Sequence, residues 1–147
     1  MLSQVVVMGQ VMAYRFVGFF ARPVMKRPIE LPEGAIWREI LHPFVGVGIR
    51  WLTVSDHKPD VVRAEELLQE VGLGSASDWL FLTYQTWAGR IDSVYGVGNC
   101  SGKEIAPPES SEDAETTYVK LMSMFGLSSE GARDFTPFAR GFWDEVQ

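Results

Sequence analysis

The chain has 147 residues, 46% hydrophobic and 22% charged, with a formal net charge of -6. A chain of this length buries roughly 70% of the surface its unfolded form exposes, so it makes its own core as a single domain over residues 1–147, and this composition fits neither a disordered chain nor a coiled coil. Its one cysteine, Cys100, excludes an intrachain disulfide and any zinc site built from several thiolates, and points to a reducing, cytoplasmic setting.

Net negative charge disfavours nucleic acid as a partner, because a polyphosphate is repelled unless basic groups cluster. The charge is nevertheless uneven along the chain. Residues 1–58 carry seven basic and four acidic groups, a net of +3, whereas the remainder carries six and fifteen, a net of -9. The apolar runs at 5–8 and 16–21 are broken by Gln10 and Arg15 and fall short of the roughly 20 residues a membrane span needs. No membrane association and no signal peptide are expected. Met12 is an alternative start, which would leave residues 1–11 as an extension.

Residues 5–8 and 11–21 flank Gly9-Gln10 as a hairpin would, with glycine suited to the first turn position; the alternative is that the first strand begins near Ala13 and the preceding residues are loose. The stretch 14–21 reads as a central strand, because Tyr14, Phe16, Gly18 and Phe20 face one way and Arg15, Val17, Phe19 and Ala21 the other, and both sets are mostly apolar. Pro23 and Pro28 enforce an irregular basic segment. Pro32 opens a short predicted helix over roughly 33–41, stopped by Pro43. A second strand is predicted over 44–54. A helix then begins at Asp56 or His57 with Pro59 near its first turn. Val61, Ala64, Leu68 and Val71 recur along it at helical spacing, and Gly72 follows as its C′ residue.

The strongest β signal is 78–87 and 90–98, joined by Ala88-Gly89. A two-residue turn there pairs Trp79 with Gly98, Phe81 with Gly96, Thr83 with Val94, Gln85 with Asp92 and Trp87 with Arg90 on one face. The opposite face carries Leu80 with Val97, Leu82 with Tyr95, Tyr84 with Ser93 and Thr86 with Ile91. A slip of one residue would mix these sets. Residues 99–111 read as a loop. Ser110 then starts a helix with Asp113 as capping partner, and Ala114, Tyr118, Leu121, Met122 and Phe125 form its apolar stripe up to Gly126. The 128–147 tail holds Phe135, Phe138, Phe142 and Trp143 and must dock on the body or on a partner, since each aromatic left in water forgoes roughly 1.5–3 kcal/mol. Residues 67–73 echo 121–127; both read as a helix ending in Gly-Leu, the pattern of a Schellman cap, the alternative being a duplicated β-α-β half.

The expected fold is therefore α+β, a mainly antiparallel sheet of four to five strands with two or three helices on one face. No motif defines a reaction. Residues 96–103 miss the phosphate-loop spacing, with Val97 where glycine is needed and Glu104 where Ser or Thr should hold magnesium. Cys100 with His42 or His57 is not a catalytic constellation, and no metal-ligand spacing or cofactor motif is present. A binding or inhibitor-type protein, in the manner of an immunity protein, is expected to hold a protein partner, a small ligand or a second copy of itself. Its candidate surface is the aromatic hairpin face, with Trp79, Phe81 and Trp87 giving contact area and Gln85, Arg90 and Asp92 giving oriented hydrogen bonds. The alternatives are that the same face is a second core, or that the chain is an enzyme-like ligand-binding domain with a pocket near this hairpin, Asp92 its acid/base and Arg90 its anion anchor.

Overall fold

The computed structural model describes residues 13–87, 90–107, 113–133 and 143. The predicted hairpin of residues 5–21 therefore lies outside them for its first arm, as do Phe135, Phe138 and Phe142 of the tail. In chain order the elements are β1 (Ala13–Arg22), β2 (Ala35–Ile40), β3 (Gly46–Trp51), α1 (Val61–Glu70), β4 (Asp78–Trp87), β5 (Arg90–Cys100), β6 (Lys103–Ile105), α2 (Ala114–Met124) and α3 (Ser129–Arg133). The strands form one antiparallel sheet in the order β2-β3-β1-β4-β5-β6.

β1 is central, as its two apolar faces require. Phe16 and Phe20 enter one core with Leu80, Leu82, Tyr84 and the α2 residues Tyr118, Leu121, Met122 and Phe125. Val17, Phe19 and Ala21 enter a second core with Val47, Ile49, Trp79, Phe81 and the α1 residues Ala64, Leu67 and Leu68. The α+β class and the antiparallel sheet are as expected. The sheet is one strand larger than expected, and the helices divide between its faces, α1 on one and α2 with α3 on the other. The aromatics explain the division, because there are enough of them to make both faces apolar.

Two segments differ from their predicted form. Residues 33–41 are not helical. A turn, with Ala35 N–H donating to Pro32 O at 3.1 Å and Gly34 at φ +83°, leads into strand β2. There Ala35 and Trp37 pack on the second core and Ile36 and Ile40 on the first, an alternation of two that outweighs the approximate helical spacing. The predicted loop 99–111 contains β6, reached through Ser101 and Gly102 at φ +55° and +81°, so that Cys100 pairs with Lys103 across a two-residue turn of type I′ geometry.

The helix ends are set by local chemistry. Asp60 caps α1 by accepting from Arg63 N–H at 2.8 Å. Asp113, rather than Ser110, caps α2 by accepting from Thr116 N–H at 2.7 Å, and this bond holds its carboxyl below the ordinary carboxylate value. Both helices end in the same motif. Leu73 N–H donates to Leu68 O and Gly72 N–H to Gln69 O, while Leu127 N–H donates to Met122 O and Gly126 N–H to Ser123 O. The sequence echo is thus a repeated Schellman cap. The tail docks on the body at Trp143, which is 1% exposed and lies 5.4 Å from the Phe16 ring and 6.4 Å from the Phe20 ring.

Candidate functional site

The β4–β5 hairpin carries a bulge that decides where every candidate side chain points. Near the turn, Trp87 pairs with Arg90 and Thr86 with Ile91 as predicted. Between Gln85 and Thr86 the register then shifts, so that Gln85 pairs with Ser93, Thr83 with Tyr95, Phe81 with Val97 and Trp79 with Asn99. One residue, Asp92, is absorbed by the bulge, and beyond it every predicted cross-strand partner moves by one. The glycines accordingly lie opposite Leu80 and Leu82, not Trp79 and Phe81. They are also closely covered: a Cβ on Gly98 would stand 2.2 Å from Trp79 O, and one on Gly96 would stand 3.2 Å from the Leu121 side chain.

The six candidates do not gather on one surface. Trp79 is 5% exposed and Phe81 fully buried, packed on Phe19 at ring-centroid distances of 6.1 and 5.1 Å beneath α1. Gln85 and Asp92 are exposed. The side chains of Trp87 and Arg90 lie outside the described residues, although their backbones pair at the hairpin end. Between the glycine-bearing strands and α2 there is packed core.

What the fold does bring together is a row the sequence reading did not connect. Arg15 of β1 pairs with Gln85 of β4, which pairs with Ser93 of β5. Residues directly opposite on neighbouring strands project from the same face, so the three side chains stand in a line across three strands. One step inward on that face lies Thr83, paired with Val17. These residues, with His57 and Lys58 from the segment before α1, line a cleft of about 210 Å³. Among the described residues no carboxylate lines it.

The wall bearing His57 and Lys58 is fixed from several sides. Tyr95 Oη donates to Pro59 O at 2.5 Å, and burial, reinforced by the Asp60 and Asp56 carboxylates, pushes that phenol up from its ordinary value. Lys58 N–H donates to Asp56 at 3.2 Å, and Asp60 is engaged as the α1 cap. His57 Nε2–H donates to Val54 O at 3.0 Å, which leaves Nδ1 to accept from Arg15 Nη2 at 2.7 Å. Arg15 O in turn accepts from Arg50 Nη2 at 3.1 Å. Arg15 is thus oriented through both its backbone and its guanidinium. The side chains of Lys58, Thr83, Gln85 and Ser93 have no hydrogen-bond partner among the described residues.

A second polar cluster sits at the opposite end of β1. Arg22 Nε donates to Asp78 at 3.0 Å, and Arg22 Nη2 donates to Phe125 O at 2.5 Å and to Cys100 Sγ at 3.2 Å, while the guanidinium lies 4.2 Å over the Phe125 ring. Burial pushes the Asp78 carboxyl up, but the Ser101 N–H at 3.0 Å and Arg22 outweigh it and hold it below the ordinary carboxylate value. Seven residues of strand at about 3.3 Å each separate Arg15 from Arg22, so Cys100 lies roughly 23 Å from the His57 end. They cannot act as a pair. His42 lines a different hollow, with Leu127, Ser128 and Glu130. Among the described residues there is no group of three His, Cys, Asp or Glu able to hold a metal ion, and no helix is long and apolar enough to cross a membrane.

Of the four candidates whose side chains are described, Gln85 alone joins the cleft. Arg15, His57 and Lys58 belong to the basic first part of the chain, and the +3 charge of residues 1–58 was the signal that could have found them. No family model, no curated protein and no solved structure matches this chain.

Proposed function

We propose that the protein is a small-ligand-binding domain of the cytoplasm and that its ligand is an anion, held in the cleft between Arg15 and Lys58 on one side and Gln85, Thr83 and Ser93 on the other. The observation that carries this reading is the cleft's composition: two cations and hydrogen-bond donors without a partner among the described residues line it, and no described carboxylate does, in a chain whose net charge is -6. Long-range repulsion from the acidic second part would discourage a large polyanion, whereas a small anion is governed by the groups it touches. The cleft is smaller than the roughly 300 Å³ at which sites for drug-sized molecules begin, which favours a compact ligand. The aromatic hairpin face gives less support to a protein-binding reading, because Trp79 and Phe81 sit in the second core.

The test is a nuclear magnetic resonance titration of the full chain with small anions at constant ionic strength, following the backbone amides of Arg15, Lys58 and Ser93. Saturable shifts confined to those positions, and lost in Arg15→Ala and Lys58→Ala variants that retain the fold, are the expected result. Shifts spread evenly over the surface, or unchanged in both variants, would refute it.

A further inference from the structure

The donors around the cleft exceed what a carboxylate can use. Resting on the anion-binding reading above, we infer that the group taken there is a tetrahedral oxyanion, the phosphate of a small phosphorylated molecule.

The argument is one of number and direction. A guanidinium carries five N–H donors, an ammonium three, each hydroxyl one and a primary amide two. Arg15 spends Nη2 on His57, which leaves the rest of its fork. Lys58, Ser93, Thr83 and the Gln85 amide add theirs, and none of these four has a partner among the described residues. They reach the cleft from four segments: β1, the turn before α1, β4 and β5. The Arg15-Gln85-Ser93 row spans three strands at about 4.8 Å spacing, so its ends lie roughly 10 Å apart, and Lys58 stands off that line. A carboxylate offers two oxygens in one plane, which a single guanidinium fork satisfies. A phosphate monoester offers three terminal oxygens aimed to different corners and a charge of about -1.5 to -2 at neutral pH, matching two cations better than a single negative charge does. Donors arriving from several directions suit the second shape. The modest cleft volume favours a small remainder of the ligand.

The experiment compares inorganic phosphate, glycerol phosphate and acetate as probes, titrated into the full chain at matched ionic strength. Both phosphate probes are expected to bind at least about 10-fold more tightly than acetate, and Ser93→Ala to weaken both phosphate probes about 3- to 10-fold. Thr83→Val, which also removes one hydroxyl, gives an independent reading if Ser93→Ala disturbs the strand. Acetate binding as tightly as phosphate would overturn the tetrahedral assignment while leaving the anion site standing. Binding of inorganic phosphate with exclusion of glycerol phosphate would overturn the phosphorylated-molecule assignment. No saturable binding of any probe at Arg15 would remove both this inference and the reading beneath it.

Discussion

Replacing Arg22 by alanine should be among the most damaging substitutions of any partly exposed residue in this protein. The side chain is about one-fifth exposed and ties three elements together: Asp78 at the start of β4, Cys100 at the end of β5, and the Phe125 carbonyl at the end of α2. Because water reaches both members of the Arg22–Asp78 pair, that ion pair contributes only about 1 kcal/mol. The charged hydrogen bond to Phe125 O adds about 1.5 kcal/mol. Stacking over the Phe125 ring at 4.2 Å adds about 0.5 kcal/mol. The sum is about 3 kcal/mol, a melting-temperature loss of roughly 6–12 °C for a domain of this size. Arg22→Lys keeps the charge without the fork and should lose roughly half as much. Urea denaturation checks this through a lower midpoint at unchanged slope. A loss below about 1 kcal/mol in the alanine variant would mean that Arg22 is merely held by its neighbours, and the reasoning would fail.

The Asp78 carboxyl, held below its ordinary value, gives a pH dependence of definite sign. A depressed folded value favours the charged form. Its stabilisation is therefore complete at neutral pH, starts to fade as pH falls below the unfolded value of about 3.9, and is gone once pH passes the folded value. Asp78→Asn should flatten this part of the acid limb of stability against pH, and an unchanged acid limb would count against the assignment. Trp143→Ala removes a ring lodged against Phe16 and Phe20 and should cost about 3–5 kcal/mol, seen as an earlier thermal transition and a weakened near-ultraviolet dichroism; stability within about 0.5 kcal/mol of the parent would mean that the tail does not hold the core.

The sequence made β1, α1, α2 and the β4–β5 hairpin readable because in each a single period dominates the apolar residues. In the segment containing β2, Ile36, Trp37, Ile40 and Leu41 also satisfy helical spacing over so short a run, and only pairing with β3 decides between helix and strand. The candidate site was less legible. Face assignment along a hairpin depends on register, and the bulge at Asp92 shifts it by one without any glycine or proline to mark the place. Hence alternation alone puts Trp79 and Phe81 on one face, whereas their cross-strand partners follow only once the bulge is known. Arg15 and His57 are 42 residues apart and meet only because β1 runs beside the turn before α1, a tertiary fact with no local signature.

The same bulge bears on the outer edge of β5. β6 covers only Gly98, Asn99 and Cys100 of β5, and among the described residues no strand lies outside the remainder of β5. An uncovered, flat strand edge is a template on which another chain can zip. Here the irregularity falls on that open stretch, where it sharpens the local twist and carries the exposed carboxylate of Asp92. A break in the ladder and an exposed carboxylate make that stretch a poor template for a further strand.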